Sequence, residues 1–242
     1  MAQSPTRSSA ARENARYELA RRQPECSPVT AQAVAPDLED RTAEEVLAYA
    51  VERFHPNLVM ACSFQKEESV MLDMLMGLDP AARVFTLDTG VLFEETRAAW
   101  RAFEDRWGVH VEIHDVRDPS GAQWTSEHCC STAGVKADGL RSALLGAEAW
   151  VTGVRREQSP TRAQSAKVEW DERNGLWKVN PLADWTDRQV WKYIHEHDLP
   201  YNQLHDDGYA SIGCATCTRP GDGRDGRWAG TAKTECGLHG DS

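Results

Sequence analysis

Four short apolar runs separated by helix-length segments constrain this chain more than any other feature. Leu58–Cys62, Val84–Leu87, Val109–Ile113 and Ala149–Thr152 read as strands, and the stretches beginning near Lys66, Glu94 and Val135 read as helices between them. Strands joined by helical crossovers pair in parallel, so the rhythm implies an α/β fold with helices covering a parallel sheet. Two capping boxes punctuate the pattern. Thr42 with Glu45 opens the helical stretch EEVLAYAVERF, and Thr186 with Gln189 opens a helix with Val190, Trp191 and Ile194 on its apolar side.

The flanks behave differently. Residues 1–40 carry Pro24, Pro28 and Pro36 without a sustained apolar period, and are expected to form a disordered tail. The α/β domain is expected over 41–205. The segment 206–242 is Gly-rich, polar and cysteine-bearing with little sign of a core, so it needs a metal or a substrate to fold around. With 38 acidic against 27 basic side chains the formal charge is -11. That balance disfavours a nucleic-acid groove and leaves room for a local basic pocket that takes a small anion. No apolar run approaches the ~20 residues of a membrane span. The start, MAQSPTRSSAARENAR, lacks the apolar stretch of a secretory leader, so no membrane association and a cytoplasmic location are expected.

Seven cysteines in an expected reducing compartment point to metal binding or catalysis, and an odd number argues against a purely paired disulfide framework. Cys129 and Cys130 are adjacent, and Cys214 and Cys217 form a C-x-x-C. Four thiolates suit zinc or an iron–sulfur cluster. Consecutive cysteines diverge, which is awkward at one tetrahedral ion, whereas a cubane offers separate corner irons. An iron–sulfur cluster is therefore favoured, with a redox pair as the reading for the C-x-x-C taken alone. Cys236, in KTECGLH, stands apart: Lys233 and His239 could stabilise its thiolate, and the alternative is an inert exposed thiol.

Ser63-Phe64-Gln65-Lys66 follows a strand and opens a helix, which aims backbone N–H groups at an anion; a simple N-cap is the plainer alternative. Asp88, Thr89 and Gly90 follow the next strand, at the carboxyl edge where open α/β sheets bind ligands, or form an ordinary turn. Arg155, Arg156 and Arg162 lie just beyond another strand end. Their guanidinium groups could pair with phosphate or sulfate oxygens, although composition alone would leave them solvated.

SFQKEE at Ser63–Glu68, LDTG at Leu87–Gly90, the Cys129–Cys130 pair, TGVRREQSPTRA at Thr152–Ala163, NPLADWT at Asn180–Thr186, GYASIGCATCTRP at Gly208–Pro220 and KTECGLH at Lys233–His239 occur in this order. Together they resemble the assimilatory sulfonucleotide reductases, specifically the adenylyl-sulfate (APS) reductases with a four-iron cluster. The resemblance implies a Rossmann-like parallel sheet of the adenine nucleotide α-hydrolase-like type, with 41–205 as the nucleotide-binding domain and 206–242 as a cluster-binding and catalytic segment. It implies substrate contacts from Ser63, Phe64, Gln65, Lys66, Asp88, Thr89, Gly90, Arg155, Arg156, Arg162, Arg224 and Arg227. Cys236 would be the nucleophile that carries an S-sulfonate, and Cys129, Cys130, Cys214 and Cys217 would hold a [4Fe-4S] cluster. APS and a thioredoxin or glutaredoxin-like reductant are the implied partners, with a homo-oligomer left open.

The chain departs from the family in two places. Relatives carry an Arg-Lys pair shortly after the double cysteine, whereas Ala133 and Gly134 stand here and the lysine is displaced to Lys136, which with His239 is kept as an electrostatic candidate. Trp228–Ala232 replaces a longer tryptophan-rich stretch. Reduction of the 3′-phosphorylated substrate (PAPS), use of both substrates, and a non-catalytic iron–sulfur nucleotide-binding regulator are the competing readings.

Overall fold

The computed structural model describes residues 37–117 and 134–228, together with Lys233, Glu235 and Leu238. The expectations for residues 1–36 of the tail, Cys129, Cys130, Cys236 and His239 lie outside the described residues, while Glu39, at the end of the expected tail, is held to the domain by Lys167 N at 2.9 Å.

Helix α1 (Ala43–Phe54) begins at the capping box read from the sequence: Thr42 Oγ1 accepts from Glu45 N at 3.2 Å and Glu45 Oε2 accepts from Thr42 N at 2.9 Å. The chain then alternates through β1 (Leu58–Ala61), α2 (Lys66–Leu78), β2 (Arg83–Asp88), α3 (Glu94–Trp107), β3 (Val111–Asp115), α4 (Val135–Ala143) and β4 (Ala149–Val151). The hairpin β5 (Val168–Asp171) and β6 (Leu176–Val179) and the helix α5 (Asp187–Glu196) complete the regular elements. The second capping box, Thr186 with Gln189, opens α5.

Six strands form one sheet in the order β3-β2-β1-β4-β6-β5, parallel except for β5 against β6. Met60 of β1 pairs with Val84 on one side and Val151 on the other. Alternation along β1 sends Leu58 and Met60 into a core with α1, α2, α3 and α5, and Val59 into a second core with Leu140 and Ala143 of α4. Helices thus cover both faces, as buried parallel strands require. Packing is tight where α4 meets the end of β3: a Cβ at Gly139 would overlap Cγ1 of Val116.

Two differences from the sequence reading have local causes. β3 starts at Val111 rather than Val109, because Gly108 ends α3 in the left-handed region at φ 64° and the chain spends the next residues turning back. The β5–β6 hairpin was not expected. It turns through Asn174 and Gly175, where Gly175 sits at φ 71° and donates its N–H to Asp171 O at 2.7 Å, and Trp170 packs edge-on against Trp177. The return strand gives β4 its parallel neighbour.

Strand order reverses between β1 and β4: from β1 the chain steps outward to β2 and β3 and then crosses back to β4 on the other side of β1, so α2 leaves from one side and the loop after β4 from the other. In open α/β sheets a ligand crevice forms outside the carboxyl ends of the strands at such a switch point.

Candidate functional site

A cavity of about 420 Å³ lies at this switch point. Its floor is the Ser63–Lys66 turn after β1 and the Thr152–Arg155 turn after β4; Leu140 and Trp150 supply an apolar wall, and residues 210–214 close the far side. A cavity of this size with an apolar wall and convergent polar groups suits a small organic anion.

The turn after β1 is held under strain. Phe64 adopts φ 59°, unusual for a bulky residue, and its ring is buried, stacked on Trp100 at 5.1 Å and against Phe103 at 5.8 Å. Burial of that ring fixes the turn, so Phe64 reaches the cavity through its backbone. Gln65 caps α2 and ties the turn to the far wall: its Oε1 accepts from Ile212 N at 2.7 Å and its Nε2 donates to Ser63 Oγ at 3.0 Å. Lys66 is buried in the first turn of α2, with Nζ 2.7 Å from Asp187 Oδ1 and 5.6 Å from the Trp191 ring centroid.

Acidic side chains missed by sequence reasoning complete the floor. Glu67 and Glu68 are adjacent acids in the first turn of a helix, a place that normally reads as solvated, yet both are buried. Burial pushes the Glu67 carboxyl up, but Arg155 and Lys66 outweigh it and hold Glu67 below its ordinary value. Glu68 has no such cation. Burial first and the Glu67 charge second push it to about 8, against hydrogen bonds from the Gln65 N–H and from Ser63 that favour its anion. A neutral, buried carboxyl therefore sits beneath the turn at neutral pH. His205, also missed, accepts from Lys66 N at Nε2 and bonds Tyr209 O through Nδ1 at 2.7 Å, which assigns the proton to Nδ1. Burial, and then the Lys66 charge, lower its pKa. Burial also pushes up the thiol of Cys62, which stays neutral at the cavity floor.

The predicted arginines separate into different roles. Arg155 is saturated: Nε donates to Glu67, Nη1 to Glu157 and to the Trp185 carbonyl, and Nη2 reaches Glu67 and Asp187. Burial opposes its charge, but Glu67 and the other carboxylates more than compensate. Arg156 takes a different direction. It does not line the cavity but turns outward, donating to Ser165 O at 2.8 Å and pairing with Glu39, because consecutive residues at the start of a tight turn diverge. Arg162 lines the cavity and grips Glu235 with two bonds, Nε to Oε2 at 2.9 Å and Nη2 to Oε1 at 2.8 Å. Arg224 reaches the same carboxylate at 2.6 Å. Arg227 donates to Ser211 Oγ at 3.2 Å and Ile212 O at 3.1 Å and lies 4.7 Å from the Trp228 ring centroid. Lys136, at the start of α4, also lines the cavity.

Asp88, Thr89 and Gly90 follow the cavity-lining Leu87 and hold the neighbouring loops. Asp88 Oδ1 accepts from Gly90 N at 2.8 Å, and Thr89 Oγ1 lies 3.3 Å from Cys214 Sγ. Gly90 adopts φ 74° with Arg117 packed against its Cα, where a side chain would collide.

Cys214 and Cys217 are buried in a turn closed by Cys217 N to Cys214 O at 3.1 Å, and they pack with Trp228 and Leu238. Two soft donors in an apolar setting fit half of a thiolate ligand set. Among the described residues no group of three potential ligands assembles.

Fold and site define a doubly wound α/β protein with a polar cavity where the strand order reverses. The chain belongs to the phosphoadenosine phosphosulfate reductase domain family, whose profile matches residues 57–220. It is 43% identical to the phosphoadenosine 5′-phosphosulfate reductase of Gloeobacter violaceus, over 87% of this chain and 93% of that protein. It is 41% identical to the adenosine 5′-phosphosulfate reductase of Geobacillus thermodenitrificans, over 84% of this chain and 92% of that one. A crystal structure of phosphoadenylyl-sulfate reductase from Candida auris, a phosphate complex, superposes with a TM-score of 0.61 at 30% identity, covering 75% of this chain and 94% of the other. The Rossmann-like sheet of the adenine nucleotide α-hydrolase-like type is thereby shared across the family. Among the described residues no helix is long and apolar enough to cross a membrane.

Proposed function

We propose that this chain reduces APS to sulfite and AMP in sulfate assimilation, with a thioredoxin-like dithiol as reductant in the cytoplasm. The observation that carries this reading is that the residues flanking Cys236 in sequence reach the cavity: Glu235 is held by Arg162, and Leu238 lines the wall. The Cys236 thiolate attacks the sulfate sulfur, the bond from sulfur to the bridging oxygen breaks, and AMP departs with its electron pair. One thiolate of the reductant then attacks the Cys236 sulfur and releases sulfite, and its second thiol resolves the mixed disulfide, returning Cys236 and leaving oxidised reductant. Dividing the transfer in this way is covalent nucleophilic catalysis.

The anionic end of the substrate would lie at the turn after β1 and the N-terminus of α2, with Lys66, Lys136 and Arg227 as nearby positive charge, while the Gln65 and Lys66 N–H groups stay with Glu68 and His205 and hold the turn in shape. Leu140 and Trp150 offer the adenine an apolar wall. Cys214 and Cys217, with Cys129 and Cys130, would hold a [4Fe-4S] cluster. That group would supply a structural staple for the C-terminal segment and an electrostatic influence on the site rather than reducing electrons. The Gloeobacter relative's name favours a second reading, PAPS as substrate or both nucleotides.

The test compares APS and PAPS in a sulfite-release assay with Cys236→Ser beside wild type. Intact-protein mass spectrometry with APS and no reductant should show one added sulfonate on Cys236, removed by reduced thioredoxin and absent from the variant. Turnover by Cys236→Ser would refute the mechanism.

A further inference from the structure

Arg162 and Arg224 are expected from the sequence to hold substrate, yet both are turned to one carboxylate that belongs to the chain itself. Glu235 is buried, accepts two bonds from Arg162 and one from Arg224, and takes a further 3.3 Å bond from Thr161 Oγ1. A two-pronged guanidinium–carboxylate pair fixes orientation as well as distance. The clamp is itself braced, because Arg162 Nη1 donates to Gln158 Oε1, and Gln158 Nε2 donates to Glu67 at 3.1 Å and to Gly153 O at 3.1 Å. Those are floor residues of the cavity, so the grip on Glu235 is referenced to the same frame that positions the ligand.

We propose that Glu235 is a positioning residue: its carboxylate, seated between Arg162 and Arg224, docks the C-terminal segment and sets the reach of Cys236 toward the substrate. The inference rests on Cys236 being the nucleophile. Adjacent Cα atoms are about 3.8 Å apart, so the seat of Glu235 limits where the next residue can stand. Leu238 supplies a second anchor, packed with Trp150 on one side and with Cys214, Cys217 and Trp228 on the other. Only Cys236 and Gly237 separate the two anchors. Arg162 and Arg224 line the cavity as well, so the groups that hold the tail also stand at the ligand.

Glu235→Gln keeps the shape and removes the charge, and Arg162→Lys keeps a charge and removes the fork. In single-turnover mixing with APS, each should slow S-sulfonation of Cys236, by roughly 100-fold for Glu235→Gln, as expected when a reacting group is displaced by about an ångström. AMP affinity should stay within about threefold of wild type, because the nucleotide does not depend on the tail. Alkylation of Cys236 by iodoacetamide should become faster in both variants as the segment leaves its seat. An unchanged sulfonation rate in both variants, or a loss of AMP affinity that parallels the loss of rate, would overturn the positioning role. Wild type that forms no adduct on Cys236 would overturn the nucleophile assignment instead, and the alkylation rates would still report whether Glu235 docks the tail. If Glu235→Gln does not fold, Arg162→Lys decides on the same readouts.

Discussion

Replacing Glu68 by glutamine should stabilise this protein at neutral pH, although it removes a buried side chain's native chemistry. Glu68 is held neutral up to about pH 8, while the same group in the unfolded chain ionises around 4.5. Below 4.5 both states carry the proton and the group contributes no difference. As pH rises through the interval the unfolded chain releases its proton and gains stability, while the folded protein does not, at a cost of about 1.4 kcal/mol for each pH unit. At pH 7 the two states have diverged over 2.5 units from 4.5, which sets a ceiling on the order of 3 kcal/mol. Glutamine mimics the protonated acid. Its carbonyl can accept from Gln65 N, now 2.9 Å from Glu68 Oε2, and its amide can donate to Ser63 Oγ, without any release of a proton on unfolding. Burial of the amide takes back part of the gain. Urea unfolding of both proteins should show the advantage of Glu68→Gln growing steadily from about pH 5 to pH 8 with unchanged denaturant slopes. A difference that stays constant across that range, or a variant weaker throughout, would refute a neutral Glu68.

Arg155→Leu should lose about 3–5 kcal/mol, because it strands the buried Glu67 carboxylate, and Arg155→Leu with Glu67→Gln should recover much of it; thermal or urea unfolding measures both. Gly139→Ala, against Val116, should cost about 1–3 kcal/mol through overpacking, read as a lower unfolding midpoint. Cys217→Ser should abolish iron retention and visible absorbance in anaerobically purified protein while wild type keeps both, measured by iron assay and absorption spectroscopy. Full iron content in the variant would remove Cys217 from the ligand set.

The architecture was legible because buried parallel strands write themselves as apolar runs and crossover helices as periodic ones. Both capping boxes fell where Thr42 and Thr186 placed them. The β5–β6 hairpin carried a readable signal, Asn174-Gly175 between Trp-bearing runs, but its strands are four residues each and stand beside a long stretch of turns. Site chemistry was less accessible. Arg155 and Arg156 are identical as letters, and only the direction of the backbone after β4 sends one into a carboxylate cage and the other to Glu39. Glu67 and Glu68 look like ordinary acids favoured by a helix N-terminus; the turn after β4, with Gly153, Arg155 and Gln158, closes against them from far away in sequence. Gly90, by contrast, was readable as a turn, but not that the turn would brace Cys214.

The placement of acids around an anion site follows from the cost of unpaired charge. Lys66, Arg155 and Arg162 are all buried, and a desolvated cation waiting in an empty cavity would cost several kcal/mol. Asp187 serves Lys66 and Arg155 together, Glu67 serves Arg155, and Glu235 serves Arg162. The folded protein can therefore keep positive charge beneath its ligand without depending on the ligand for stability. At longer range the net charge of -11 repels an incoming anion, but exposed charges are screened beyond about 8 Å at physiological salt. Attraction is then a local matter, decided by groups fixed in orientation before the ligand arrives. The Gln65–Ile212 and Gln158–Glu67 bonds supply that fixing, because each joins a wall of the cavity to its floor.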